Sequence, residues 1–212
     1  GHPYIFHGYA QGGDTVEAAG QQEHIREMFQ SGPRGVSRIS GYCRLVAEVD
    51  GTGYVGVDHL GGYVFKVHLD GRVDTIAEIA TRRLMDLALS PAGNPIYIVD
   101  ADHGTLSFIE RATGSVVVMT TGLQTPYAVL YHDHEPPQHI WVGERNGMMV
   151  EIDPEDGKIH RRVPSGGPKL MALRQFSNHD LLAYDDSTRT LRRLARNPVT
   201  GESERRGMSP GQ

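Results

Sequence analysis

Cysteine is almost missing from this chain. Cys43 is its one thiol, so no internal disulfide can form and no cysteine-based zinc site can be built. Its neighbours Tyr42, Leu45 and Val46 place that thiol in a buried strand rather than at a reactive position. Long apolar runs are missing too, since nothing approaches the ~20 residues that a membrane span needs. An excess of positive charge is also absent. A net charge of −5 and a pI near 6.1 exclude a general attraction to nucleic acid or to anionic membranes. No phosphate-binding glycine loop leads into a helix, and no serine nucleophile elbow occurs. The composition is that of a soluble chain and leaves cytoplasm and secretion both open.

Turn-forming residues are what the sequence has in quantity. Twenty-six glycines and 12 prolines in 212 residues, with helical patterning limited to a short stretch around Gln21 to Phe29, predict many short strands. The clearest unit runs from Leu84 to Gly122. It reads as four strands, Leu84 to Ser90, Ile96 to Val99, Thr105 to Glu110 and Val116 to Thr120. They are separated by Pro91-Ala92-Gly93-Asn94-Pro95, by Asp100 to Gly104 and by Ala112-Thr113-Gly114. Four antiparallel strands in about 40 residues is the size of one propeller blade.

The unit repeats. A glycine in the turn before the last strand recurs at Gly20, Gly71, Gly114, Gly157 and Gly201, at spacings of 51, 43, 43 and 44. Polar turns between the second and third strands recur at His7-Gly8-Tyr9, Asp58-His59, Asp100 to His103, Gly143 to Asn146 and Asp185 to Ser187. The fold expected is therefore all-β, a single β-propeller domain over residues 1–212. It has about five four-stranded blades, at approximately 3–31, 32–80, 81–122, 123–165 and 166–208. The first blade is incomplete, with three strands, and an open inner edge is something natural sheets avoid. The chain thus reads as a propeller whose ring closes imperfectly, as one whose ring a second chain or another copy completes, or as a fragment of a larger propeller. The second blade carries about eight extra residues near Val36 to Gly41, either a lid over the channel or a longer surface loop.

Gly32-Pro33-Arg34-Gly35-Val36, Leu123 to Val129, Pro95 to Asp100 and Val150 to Gly157 resemble the repeats of the NHL, gluconolactonase-like (SMP-30) and strictosidine-synthase-like propellers. The resemblance extends from about Pro3 to Gly201. It implies a six-bladed fold in its enzymes and a choice of functions: protein-binding scaffold, metal-dependent lactonase or esterase, or lyase. It also implies a divalent cation, calcium or magnesium, held by one Glu, two Asn and one Asp. This chain has only Asn94, Asn146, Asn178 and Asn197, and only Asn146 falls in a turn on the ligand-facing side. The metal ligands therefore stay unassigned, and no cofactor is certain.

Two residue sets could carry chemistry. The second-to-third-strand turns supply Asp58, His59, Asp100, His103, Glu144 and Asp185. His59 and His103 are the general acid or base candidates, with Glu144 a further catalytic candidate. The alternative for the aspartates is structural, since a turn carboxylate accepts backbone N–H bonds. The lead-ins to the innermost strands supply Arg34, Arg83, Tyr127 and Lys169, with Arg82 and Gln124 beside them. Cations converging from several blades form a funnel for a carboxylate or phosphate. Their alternative is neutralisation by neighbours such as Asp86 or Asp58.

His132 to His139 holds a cluster of histidines and acids on the opposite face, read as a surface that picks up metal adventitiously. Arg192, Arg193, Arg196, Arg205 and Arg206 form a solvated edge or a partner contact. The function expected is an enzyme with a small polar, anionic substrate, working by hydrolysis or elimination. The alternative is a non-enzymatic propeller that binds a protein or glycan. Neither nucleic acid nor membrane is expected as a partner.

Overall fold

The structure is a computed structural model that describes residues 43–132, 138–175, 181–196 and 203–206. Among the described residues sixteen strands form four sheets, each a four-stranded antiparallel meander taken in chain order. The first holds β1 (Cys43–Ala47), β2 (Gly53–Asp58), β3 (Tyr63–His68) and β4 (Val73–Glu78). The second holds β5 (Leu84–Leu89), β6 (Ile96–Asp100), β7 (Thr105–Glu110) and β8 (Ser115–Thr120). The third holds β9 (Pro126–His132), β10 (His139–Glu144), β11 (Met148–Ile152) and β12 (Ile159–Pro164). The fourth holds β13 (Leu170–Gln175), β14 (Leu181–Asp185), β15 (Thr190–Arg196) and β16 (Ser203–Arg206). These are four of the five expected blades. The blade expected at 3–31, the Val36 to Gly41 insertion and Arg34 lie outside the described residues.

The chain folds as two compact units, one formed by residues up to Ile98 with Phe108–Val117, the other by Val99–Ser107 with Val118 onward. In the first, Val55, Val57, Val64 and Ala77 pack against Leu84, Leu87, Ile96, Ile98 and Ile109. Leu45, Phe65 and Val67 form a smaller cluster. In the second, Ala128, Leu130, Trp141 and Met149 pack against Leu170, Leu173, Leu181, Ala183 and Leu194. Middle strands such as β6 and β10 are buried at every residue, because both of their faces are covered. They therefore lack the polar–apolar alternation of a half-exposed strand. Among the described residues no helix is long and apolar enough to cross a membrane.

The 43-residue glycine spacing has a steric cause. Gly114 and Gly157 have φ of 69° and 72°, the left-handed region that a side chain disfavours. A Cβ on Gly114 would lie 2.5 Å from the carbonyl oxygen of Ile76, and one on Gly157 2.5 Å from that of Met119. Each glycine therefore lets the last turn of its sheet rest on backbone 38 residues earlier. A charged clamp reinforces the first unit. Buried Glu48, just after β1, takes both terminal nitrogens of Arg111 from the β7–β8 turn and lies 3.2 Å from Lys66 Nζ. Burial alone would raise the Glu48 pKa, but Arg111 and Lys66 outweigh it and hold the carboxyl below its ordinary value.

Candidate functional site

The turns between second and third strands are built around their carboxylates. Asp58 Oδ1 accepts the N–H groups of Leu60 (3.1 Å) and Gly61 (3.2 Å). Asp100 Oδ1 accepts those of Asp102 (2.8 Å) and His103 (3.4 Å). Asp185 Oδ1 accepts the Ser187 hydroxyl at 2.7 Å together with the N–H and hydroxyl of Thr188 at 2.9 and 3.0 Å. Its Oδ2 accepts the Lys169 N–H at 2.7 Å. Glu144, one methylene longer, accepts the Gln124 N–H at 2.8 Å. In these last two blades the carboxylate ties the turn to the start of the innermost strand. All four carboxylates are buried. Such a group at the head of a turn closes it by accepting N–H bonds from two and three residues ahead, which gives the structural role of the turn aspartates a geometry. Burial acts to raise the Asp185 pKa, but its four donors prevail and hold it well below the usual carboxylate range.

The two histidines differ. His103 is exposed, and its Nδ1 lies 2.6 Å from Asp100 Oδ2. That hydrogen bond raises its pKa, so the imidazolium persists to higher pH than in a free histidine. His59 is mostly buried. Burial first, and the Arg44 charge second, lower its pKa to about 4 against the opposing pull of Asp86 and Asp58. It is therefore neutral at physiological pH. The Met85 backbone also acts to raise its pKa, without overcoming burial. The His59 Nε2 is buried with no hydrogen-bond partner among the described residues.

Beside His59 lies an ion pair that the turn-and-lead-in reading missed. Arg44 Nη1 is 3.0 Å from Asp86 Oδ2, with the Arg44 side chain 10 % exposed and that of Asp86 fully buried. Asp86, expected to neutralise a lead-in cation, thus pairs with a cation inside β1. The signal was present: an arginine in Cys43-Arg44-Leu45-Val46-Ala47 and an aspartate in Leu84-Met85-Asp86-Leu87 each interrupt an apolar inner strand. Cys43 is inert, its thiol pushed up to about 12 by burial and then by the charge of Asp58. Arg83 donates its backbone N–H to Thr81 Oγ1 at 3.1 Å.

In the second unit, Lys169 Nζ sits 2.6 Å from Asp186 Oδ2. The Arg145 guanidinium lies 5.8 Å from the Tyr127 ring centroid, a cation–π contact. Arg162 approaches Glu144 at 3.5 Å and donates to the Gly122 carbonyl at 3.1 Å. Asn146 turns its amide nitrogen to Gln124 Oε1 (2.9 Å) and Glu144 Oε2 (3.4 Å), while its oxygen accepts the Met148 N–H at 3.0 Å. So arranged, this turn does not offer the oxygen set of a calcium or magnesium site. Among the described residues no three His, Cys, Asp or Glu side chains are grouped to hold a metal ion. His132 and His139, which flank the histidine-rich segment, are buried strand ends rather than surface groups. His139 Nε2 lies 3.6 Å from Glu151, and residues 133–137 lie outside the described residues.

Thr125 stands out in this region because its φ is +52°. A β-branched residue there is strained by ~1–2 kcal/mol. Its carbonyl accepts the Arg145 N–H at 3.0 Å, which holds the conformation. Thr125→Gly is expected to raise stability by about 0.5–1 kcal/mol, since relief of the left-handed strain exceeds the added chain entropy. A urea unfolding midpoint below wild type would contradict this account.

No known protein family matches the chain by sequence, and no curated protein does. Solved structures do. Hydrazine synthase of Kuenenia stuttgartiensis superposes with a TM-score of 0.62 at 16 % identity, covering 77 % of this chain and 48 % of that one. Virginiamycin B lyase from Staphylococcus aureus gives 0.61 at 11 % identity, covering 79 % and 55 %. The WD40 β-propeller domain of Doa1 gives 0.59 at 14 % identity, covering 74 % and 51 %. The chain thus spans about half the length of each. At these identities the likeness shows the fold, a β-propeller, and it is shared by a lyase and by WD40 domains.

Proposed function

We propose that this β-propeller is an enzyme that takes a small polar, anionic substrate and acts on it by acid–base chemistry, hydrolysis or elimination. The observation that carries the reading is His59: a neutral imidazole with a buried Nε2 that has no partner among the described residues. In this reading substrate binding uncovers Nε2, which then accepts the proton taken from substrate or water. Arg83, at the start of β5, supplies the anion contact. Burial first, and the Arg44 charge second, keep His59 in its neutral form. That a lyase shares the fold accords with this chemistry but does not carry it.

The test is a thermal-shift screen of small hydroxy-carboxylates and phosphate esters, followed by turnover assays of the compounds that raise the midpoint. His59→Gln, which keeps a hydrogen-bonding side chain, is expected to retain binding and lose at least about 100-fold in turnover. If no compound raises the wild-type midpoint, or if His59→Gln turns over at the wild-type rate, the reading fails. A second reading, a non-enzymatic propeller binding a protein or glycan, draws on the turns themselves. Their carboxylates are held in backbone bonds, and exposed Gln124, Arg145 and Asn146 are left at a fixed surface.

A further inference from the structure

We infer that two copies of this chain pair through β8, edge to edge about a two-fold axis. β8 is the outermost strand of its sheet, hydrogen-bonded to β7 on one side only. Its sequence, Ser115-Val116-Val117-Val118-Met119-Thr120, carries no charge. Val116, Val117 and Val118 are 38 %, 45 % and 55 % exposed. A lone edge strand with exposed β-branched residues is a template for another strand, and sheets ordinarily guard such edges with charge or proline. The other outer strands are guarded in this way. β4 carries Asp74 and Glu78, β12 carries Arg161 and Arg162, and β16 is charged at three of its four positions.

The same comparison selects a second copy as the occupant. In an antiparallel two-fold pair each strand meets its own sequence reversed. β4 would set Asp74 against Glu78, and β12 would set Arg161 against Arg162, both repulsive. β8 centred on Val117 sets Val117 against Val117 and Val116 against Val118, all apolar β-branched pairs. Its far end is already engaged, because the Thr120 hydroxyl donates to the Gly157 carbonyl at 2.7 Å and Gly157 rests on Met119. The open stretch is therefore the valine run. Among its described residues each copy has one such edge, so pairing through it closes at two and joins two four-stranded sheets into one of eight. An interface this small makes a weak, reversible dimer.

Sedimentation of the full chain from about 10 to 500 µM tests this. The apparent mass should rise from the 23.3 kDa monomer towards twice that value, and salt should not weaken the association, because no ion pair holds it. Val117→Lys and Val117→Glu are each expected to stay monomeric at every concentration, with unchanged thermal midpoints since the position is half exposed. Their equimolar mixture should re-form the dimer. A wild type that stays monomeric at the highest concentration, a Val117→Lys variant that associates like wild type, or a mixture that stays monomeric would each overturn the inference.

Discussion

Asp86→Ala is expected to cost about 3–5 kcal/mol of stability, read as a drop in the thermal midpoint of roughly 10 °C. The cost does not measure the worth of the Arg44–Asp86 attraction. Removal of the carboxylate leaves the Arg44 side chain, 10 % exposed, in a strand where water cannot solvate it. The double variant Arg44→Met, Asp86→Leu removes both charges while keeping the volume. It should recover most or all of the loss, because a buried ion pair and a well-packed apolar pair are nearly equal in stability. A loss below about 1 kcal/mol in Asp86→Ala would mean that water reaches Arg44. His59 gives an internal check. With Asp86 gone, the carboxylate that favours its protonated form is lost while Arg44 remains, so the imidazole pKa moves further down, visible in its proton resonances across a pH titration.

Asp185 carries the second large effect, and its size depends on pH. Its carboxylate takes hydrogen bonds from Lys169, Ser187 and Thr188, and hydrogen bonds to a charged group contribute ~1.5–3 kcal/mol. Asp185→Ala is expected to lose about 3 kcal/mol at pH 7, and Asp185→Asn about 2 kcal/mol. The folded chain keeps Asp185 ionised to lower pH than the unfolded chain does, since its pKa is depressed. The unfolded state therefore binds the proton first as the solution is acidified. The stability from Asp185 is complete above the unfolded aspartate value near ~3.9 and is lost as the pH falls towards the folded one. The gap between wild type and Asp185→Asn, measured by urea unfolding, should be constant from pH 8 to about pH 5 and narrow below pH 4. A gap that stayed constant into the acid range would show that the turn is held by packing instead.

What could be read in the sequence was what repeats along the chain. Leu84 to Gly122 announces β5 to β8 because each strand there is bounded by turn residues whose backbone preferences are local. The recurring glycine was legible for a different reason: a carbonyl 38 residues away leaves no room for a side chain. The Arg44–Asp86 pair was not legible as a pair. Nothing in either strand says which sheet its neighbour comes from, and only the packing of β5 beside β1 brings the charges together. His59 stood in a polar turn, where exposure is the ordinary expectation. Its burial comes with β5, whose Leu84 N–H bonds the His59 carbonyl at 3.3 Å. The turn carboxylates show the reverse case. Their positions were plain, but residue type alone does not say which donors a turn carboxylate meets, and those bonds became visible only in the structure.

The contact of Gly114 with Ile76, and of Gly157 with Met119, bears on how such a chain can grow. The outer turn of one sheet is seated on the sheet before it, so the seam between repeats does not fall at the end of a sheet. The smallest piece that can be duplicated or deleted without leaving a misfit is one period of chain that carries both a carbonyl seat and the glycine that uses the preceding seat. Gene segments that lengthen or shorten the protein by whole periods keep every seat filled. A cut that respected sheet boundaries but moved the glycine would leave one turn without its rest, and inheritance by repeats is therefore constrained by a single missing side chain.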